Sequence, residues 1–553
     1  MLVVSESGFN KYVRLLDKQD RSFLTKYQRI IVNYFNSNEF ANKKLLLLFM
    51  EVGTGKTLTS LVCGIEGIRT KKFNRIVVLS PKSVQDEFEN NLKLYYKLSG
   101  MPDMNQIRDK IIMIPYNANN SSTQFKKLFP NLEHTLFIID EAHLFMKSVI
   151  KTSLLPNEEI KRKDNVGNAK KIYDMIDRVH DKKIICLTGT PSSKHPFETV
   201  PIFNLAGCNF PLNFDVFSSE YIDYVHNTIK NKPKLMKQIK GLVAYVASNS
   251  SSQKLKVSKL KIVEVEMSAL QYKQYLLDYA KEVKERGFTN KRNCYGLLFG
   301  AKSSFHAKTF EDSIYWNDSL TNLDDDKNRY VGEIKIDHTH CPKVIKMFED
   351  TKQIHGTCVF YFRFVHMYGT ECMEKLLNIE GYHLPEVSNL DIFKKKAKRY
   401  VLFTGDVNYK TRIKWKLLFN DARNKYGDYI KYLILSPSGS VGVTLKNVRY
   451  LGIGSVEFNY SAIRQILGRV NRLNSHIDLP EQDRKLQNFI YIATKNMEFY
   501  NQHKKQINKL CCREAPDHNE RAPTIERIIY QDSLKDDIIN EAFRKCLIDS
   551  SIV

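Results

Sequence analysis

Between about residues 25 and 210, short uninterrupted apolar runs alternate with longer stretches of mixed polarity at helical spacing. Leu45-Leu46-Leu47-Leu48-Phe49, Ile76-Val77-Val78-Leu79, Leu136-Phe137-Ile138-Ile139 and Ile184-Ile185-Cys186-Leu187 read as buried strands of a parallel sheet covered by helices. Each run ends in a segment rich in Gly, Ser, Thr or Asp. In open α/β sheets the carboxyl ends of the strands carry the ligand, so function is expected there. A second series starts near residue 340 with Cys358-Val359-Phe360-Tyr361-Phe362, Tyr400-Val401-Leu402-Phe403 and Tyr432-Leu433-Ile434-Leu435. The expected organisation is a first α/β lobe over 1–215, a mainly helical insertion over 216–340, a second α/β lobe over 341–500 and a helical extension over 501–553. In that extension Leu534, Ile538, Phe543 and Leu547 predict an amphipathic helix lying on the second lobe, with a partner-binding helix as the alternative.

The length of 553 residues suits several domains rather than one core. Lys+Arg 85 against Asp+Glu 61 gives a net charge of +24, spread along the chain, which suits a polyanionic partner such as nucleic acid and equally a Lys-rich, well-solvated surface, so that the motifs must decide. The ten cysteines have no repeating spacing, and most lie in apolar runs, as reduced, buried cysteines do. No apolar run approaches the roughly 18 to 20 residues of a membrane span, and the N-terminus has no signal-peptide pattern. The expectation is an intracellular protein in a reducing compartment, without a membrane partner.

Chemistry concentrates in three stretches. After the first apolar run, Gly53-Thr54-Gly55-Lys56-Thr57 supplies the glycines that let backbone N–H groups turn toward phosphate oxygens, followed by a lysine and a hydroxyl at a helix start. Lys56 is expected on the β- and γ-phosphates of ATP and Thr57 on Mg²⁺. Met50 stands where G-x-x-x-x-G-K-[ST] has its first glycine. Asp140 closes the third run, placed to hold Mg²⁺, and Glu141 follows it as the base that orients and deprotonates the attacking water. The bland reading of this pair is a strand-end turn with two solvated acids. Gln465, Arg469 and Arg472 fall at i, i+4 and i+7, beside an apolar stripe of Ile463, Ile466, Val470 and Leu473. On one helical face, Arg472 would act as an arginine finger and Arg469 would assist at the γ-phosphate.

Other strand-end loops carry weaker signals. His143 is expected to couple the acidic pair to Thr188-Gly189-Thr190-Pro191, where a capping role for Thr188 is the alternative. Pro81, Lys82 and Ser83 open a helix whose N-terminal amides, with the Lys82 ammonium, suit a nucleic-acid phosphate. Gly439, Ser440 and Thr444 lie in a second loop of small residues able to approach a phosphate closely, although ordinary turn chemistry explains either loop equally.

In this order the motifs, Gly55-Lys56-Thr57, Asp140-Glu141-Ala142-His143, Thr188-Gly189-Thr190 and Gln465 through Arg472, resemble superfamily 2 helicases and translocases over about residues 24–500. The resemblance implies two tandem RecA-like lobes, a DEAH-box type nucleic-acid-dependent ATPase, an adenine-reading role for Gln28, a nucleotide contact for Gln465 and a fourth motif at Gly369. Lys240 through Tyr245, Thr444 through Arg449 and Ser475 through Pro480 look like the helicase-like transcription proteins of nucleocytoplasmic large DNA viruses and cytoplasmic linear plasmids. That narrower likeness implies a DNA-stimulated motor of viral transcription in the host cytoplasm or virion, with viral RNA polymerase or transcription factor subunits as partners. An ATP-switched initiation or termination subunit with little unwinding is the alternative. Val441 stands where relatives often carry an acidic residue.

Overall fold

The structure, a computed structural model, describes residues 23–51, 54–99, 104–128, 132–153, 167–247, 256–276, 335–366, 369–386, 390–440, 443–472, 475–504, 507 and 524–553. The chain divides into two compact units, Met1–Asn249 with Leu534–Val553, and Ser250–Ser533.

The first unit is built on strands β1 (Leu45–Met50), β2 (Arg75–Ser80), β3 (Ile111–Pro115), β4 (Thr135–Ile139), β5 (Lys182–Thr188) and β8 (Val243–Val246), with a small ribbon of β6 (Ile222–Asp223) and β7 (Thr228–Ile229) beside them in sequence. The sheet order is β3-β2-β4-β5-β1-β8, and every pairing is parallel. After β1 the chain builds outward through β2 and β3, then returns to insert β4 and β5 between β2 and β1. That reversal sets the carboxyl ends of β1, β5 and β4 side by side, with Phe49 opposite Thr188 and Ile139 opposite Cys186.

Alternation along each strand divides the core between the two faces of this sheet. Leu46, Leu48, Met50, Ile76, Val78, Ile138 and Leu187 pack on one face under the helices Lys26–Asn36, Lys56–Arg69 and Gln85–Ser99. Leu45, Leu47, Phe49, Val77, Leu79, Phe137 and Ile139 face the other, where Ala142–Ser153 and the C-terminal helix cover them. Met50, the departure from the phosphate-loop pattern, is the last residue of β1 and fully buried. At that position the chain uses a core side chain rather than a turn glycine. Gly64 lets its helix approach the sheet, since a Cβ there would come within 2.6 Å of Ile76 Cδ1.

The first lobe extends beyond residue 215, because β8 pairs with β1 through Leu47 opposite Val243. The stretch expected as an insertion is therefore shared. Phe214–Tyr221, Lys232–Ile239 and β8 complete the first unit, while residues 256–276 join the second. The charged run Asp324-Asp325-Asp326-Lys327 in that stretch lies outside the described residues. The C-terminal expectation is also corrected. The helix Ile525–Asp549 belongs to the second unit only up to Ser533, and Leu534–Val553 belongs to the first. Its buried face there is Ile539, Asn540, Phe543, Cys546 and Leu547, whereas Ile538 is exposed.

The second unit has β9 (Lys256–Val257), β10 (Lys261–Glu266), β11 (Thr357–Tyr361), β12 (Tyr400–Phe403), β13 (Tyr432–Leu435), β14 (Val448–Ile453) and β15 (Lys485–Thr494). They form a seven-stranded sheet in the order β10-β15-β14-β11-β13-β12, with β9 on β15, all in parallel pairs. Two parallel sheets flanked by helices are the two RecA-like lobes expected. Lys343 and Glu526 form a buried ion pair at 2.9 Å in this unit, and Lys343 Nζ also donates to the Gly454 carbonyl while Glu526 Oε2 accepts from Ala493 N. Among the described residues no helix is long and apolar enough to cross a membrane. The described cysteines, Cys63, Cys186, Cys208, Cys341, Cys358, Cys372 and Cys546, are free thiols, all buried except the half-buried Cys208.

Candidate nucleotide site and nucleic-acid loops

In the first unit, β1 delivers the chain into the phosphate loop, of which Glu51, Thr54 and Gly55 are described and Gly53 lies outside the described residues. Gly55 caps the helix Lys56–Arg69 at φ +83, a left-handed conformation that favours glycine. A Cβ there would meet Gln28 Nε2 at 2.3 Å. Thr54 N and Oγ1 donate to the Glu51 carbonyl at 3.3 and 2.6 Å, closing the turn. Lys56 and Thr57 open the helix, so their side chains and the orphan N–H groups of its first turn share one end.

Gln28 packs directly against this loop. Its Nε2 donates to the Thr54 carbonyl at 3.3 Å, and its Oε1 accepts from Thr25 N at 2.9 Å in a capping box. Through the Thr54 carbonyl, Gln28 braces the phosphate loop.

Asp140 follows β4 and is buried; its Oδ1 accepts from Glu141 N at 2.9 Å. Burial, reinforced by Glu141, pushes its carboxyl up to about 7, and Lys56 pulls the other way. Glu141 has φ 47, strained for a residue with a side chain, and is only half-buried. His143, buried in the next turn, places Nδ1 3.0 Å from Thr188 Oγ1 and 3.4 Å from Glu141 Oε2. Desolvation lowers its pKa, which favours the neutral ring. Thr188 Oγ1 also accepts from Thr190 N at 3.0 Å, a turn contact within the same loop.

Among the described residues no group of three His, Cys, Asp or Glu side chains is arranged to hold a metal. The oxygen donors Thr57 and Asp140 instead suit a hard cation that keeps most of its ligands as water and phosphate, which is the habit of Mg²⁺. The buried Asp140 carboxyl, disfavoured as an anion beside Glu141, fits a partner cation.

The nucleic-acid candidates sit at other strand ends. Pro81 follows β2 and precedes the 3₁₀ turn Lys82–Val84 rather than opening a helix from within; Lys82 N is engaged by Asn117 Oδ1 at 3.3 Å, leaving the exposed Lys82 side chain as the basic group of this loop. The backbone of Ser83 lies in that turn.

In the second unit Gly439 and Ser440 belong to the short helix Pro437–Ser440. A Cβ on Gly439 would come within 1.7 Å of the Phe403 carbonyl, so only glycine fits that approach. Arg363, Phe364, His366, Gly405, Asp406 and Ser438 line a cavity of about 400 Å³ beside this turn. Gly369 caps the helix Thr370–Ile379 at φ +63.

The helix of the last motif runs Tyr460–Val470, capped by Asn459. Ile463, Ile466 and Val470 are buried as the stripe predicts, and Gln465 and Arg469 are half-buried; Leu473 lies outside the described residues. Arg472 is a correction. Asn471 ends the helix at φ −118 and ψ 73, so Arg472 leaves the face carrying Gln465 and Arg469. Its guanidinium hydrogen-bonds Thr444 Oγ1 through Nη1, and its Nε donates to the Gly468 carbonyl at 3.3 Å. Thr444 is thus tied to the last motif. Its carbonyl also accepts from Asn420 Nδ2 at 2.8 Å.

Sequence reasoning missed several partners. Glu457 accepts from Tyr361 OH at 2.5 Å and pairs with Arg363. Tyr245 OH donates to Glu51 Oε1 at 3.1 Å, and Asn540 bonds Ser192 Oγ at 2.6 Å. No local pattern marks them, because each partner lies tens to hundreds of residues away.

A phosphate loop, an acidic pair and a coupled Thr loop on adjacent strand ends define a nucleoside-triphosphate-hydrolysing motor lobe. The chain belongs to the SNF2-related domain family of superfamily 2 helicases and translocases, whose sequence pattern matches residues 27–315. It is 28% identical to a termination factor NPH-I homolog of African swine fever virus, over 98% of this chain and 82% of that protein. It is 25% identical to an Acanthamoeba polyphaga mimivirus protein provisionally named as an ATP-dependent RNA helicase, over 85% and 83%. The Sulfolobus solfataricus SWI2/SNF2 ATPase core in complex with double-stranded DNA aligns over 94% of this chain and 96% of that one, with 13% identity and a TM-score of 0.33. The viral relatives make this a superfamily 2 motor of viral kind, and its class is that of nucleic-acid-dependent ATPases.

Proposed function

We propose that the chain is a Mg²⁺-dependent ATPase of the DEAH-box type that translocates along DNA during viral transcription. The observation that carries this is the meeting of Gly55-Lys56-Thr57, Asp140-Glu141 and Thr188 on neighbouring strand ends, with His143 joining the last two at 3.4 and 3.0 Å. Lys56 would bind β- and γ-phosphate oxygens, and Glu141 would take the proton of the attacking water. Mg²⁺, held by Thr57 and Asp140, would neutralise charge developing on the phosphates. Gln28 would read the adenine while bracing the loop through the Thr54 carbonyl, and Gly53, Thr54 and Gly55 would line the phosphates. Arg469, with Gln465 on the same helical face, would serve the γ-phosphate from the second lobe, and Arg472, beyond the end of that helix, would act as the arginine finger. Pro81, Lys82, Ser83, Gly439, Ser440 and Thr444 would contact the track, and His143, Thr188 and Thr190 would couple its grip to hydrolysis.

Transcription is favoured over other processes by the similarity to the African swine fever virus termination factor homolog over nearly the whole chain, and DNA is the track we propose. Viral polymerase or transcription factor subunits are the partners this reading implies, in the cytoplasm of the host or in the virion. The test is ATP hydrolysis by the wild type, Lys56→Ala and Glu141→Gln, each with no nucleic acid, single-stranded DNA, duplex DNA and RNA. Turnover stimulated most by DNA and reduced at least about 100-fold in both variants supports the proposal. Full hydrolysis by Lys56→Ala overturns it, and preferential stimulation by RNA overturns the choice of track.

A further inference from the structure

The C-terminal helix sends two side chains to the loops that carry the nucleotide motifs of the first unit. Asn540 is 4% exposed; its Oδ1 accepts from Ser192 Oγ at 2.6 Å and its Nδ2 donates to the Lys194 carbonyl at 3.0 Å. Ser192 and Lys194 directly follow Thr190-Pro191. Glu198 grips the same loop from within, accepting from Ser193 N, Ser193 Oγ and Lys194 N at 2.6, 2.8 and 3.1 Å. An amide offers the donor and acceptor this pairing needs, and a carboxylate or methyl does not.

One turn further along the helix, the Arg544 guanidinium lies 5.1 Å from the Phe49 ring centroid, with Nη2 3.9 Å from Glu51 Oε1 and Nη1 2.9 Å from Glu541 Oε1. Tyr245 OH donates to the same Glu51 oxygen at 3.1 Å. The Glu51 carbonyl receives Thr54 N and Oγ1, so the residue held by Arg544 and Tyr245 is the one on which the phosphate loop folds. The Glu51 carboxylate is an anion beside a loop that must admit a triphosphate, and a fixed cation next to it offsets that repulsion. The chain beyond the helix is fastened to the same edge, with Ser551 Oγ accepting from Tyr245 N at 2.8 Å and Ile552 N donating to the Val243 carbonyl at 2.9 Å.

We propose that Arg544 is a positioning residue of the nucleotide site, offsetting the charge of Glu51 at the phosphate loop, and that Asn540 is a positioning residue of the coupling loop, fixing the segment that follows Thr190. The C-terminal segment is then part of the ATPase rather than an appendage to it. This rests on the ATPase reading above and names residues beyond it.

The test uses the full chain, with ATP titrations for the wild type, Arg544→Gln, Arg544→Lys, Arg544→Gln combined with Glu51→Gln, and Asn540→Ala, and thermal unfolding of each. Arg544→Gln keeps a planar group over Phe49 and removes the charge. Its KM for ATP is expected to rise about tenfold with kcat within about twofold. Arg544→Lys and the added Glu51→Gln should each recover most of the loss. Asn540→Ala should leave basal turnover within about twofold and cut nucleic-acid stimulation about fivefold. An unchanged KM in Arg544→Gln, or a rise that Glu51→Gln does not relieve, overturns the role of Arg544. Loss of basal and stimulated rates in proportion to a fall in melting temperature reduces both residues to packing. A wild type without Lys56-dependent hydrolysis overturns the ATPase reading itself, which is a different result from hydrolysis indifferent to Arg544.

Discussion

The residues proposed to do the chemistry are held where an isolated chain would not hold them. Glu141 sits at φ 47, and Asp140 is a buried carboxyl pushed up by desolvation. Such local costs are sustained by surrounding packing. His143 is the residue whose role is cheapest to isolate, because its imidazole touches Glu141 and Thr188 without belonging to the phosphate loop. His143→Ala is expected to keep basal hydrolysis within about threefold while reducing nucleic-acid stimulation about tenfold, read from ATPase assays with and without DNA.

A second histidine controls stability instead. His476 is buried, with Nε2 donating to the Val448 carbonyl at 2.7 Å and Nδ1 accepting from Ser475 Oγ at 2.7 Å. Desolvation, ahead of every other influence, lowers its pKa below the usual 6.5. Above that pH the ring is neutral in folded and unfolded chains alike, and its contribution to stability is complete. As pH falls below 6.5 the unfolded chain takes the proton first, so stability declines until the folded value is reached. Between pH 7.5 and 5.5 the wild type should lose about 2–4 °C more in melting temperature than His476→Gln does.

At the scale of elements, periodicity served better than reach. Every predicted strand forms within two residues of its expected bounds, because an apolar run buried on both faces has few alternatives. The strands that escaped are edge or late ones. β10 reads Lys261 through Glu266 with alternating charge and remains largely exposed, so no apolar run announces it. The helix Tyr460–Val470 shows the opposite error, where a pattern continued on paper through Arg472 but Asn471 broke the backbone. At the start of the C-terminal helix, burial drives Lys343 down and Glu526 up in pKa while each pulls the other back. Lys343→Met alone should destabilise by about 3–5 kcal/mol, having left a buried carboxylate unpaired, and Lys343→Met with Glu526→Leu should recover most of it. Denaturant melts of the two variants check this, and equal losses in both would refute the pairing.

At the scale of the whole molecule, the net charge of +24 predicts how the track is gripped. Nucleic-acid affinity should fall steeply and linearly in logarithmic plots against salt, by about 10³-fold or more between 50 and 200 mM if six or more phosphates are neutralised. A flat salt response in a binding titration would refute a phosphate-dominated grip. The first unit also depends on residues from the far end of the chain. Phe543 is 1% exposed within its core, and Phe543→Ala should cost about 3–5 kcal/mol in denaturant unfolding.

The sequence by itself determined the two α/β lobes, the buried strands and the composition of the loops at their ends, because burial on both faces and phosphate-compatible turns leave local marks in residue type and spacing. Tertiary structure alone decided that β4 and β5 insert between β1 and β2, that β8 and Leu534–Val553 complete the first unit, and that Arg472 turns onto Thr444. These are choices among long-range pairings whose energies depend on which surfaces meet, and no window of neighbouring residues encodes them.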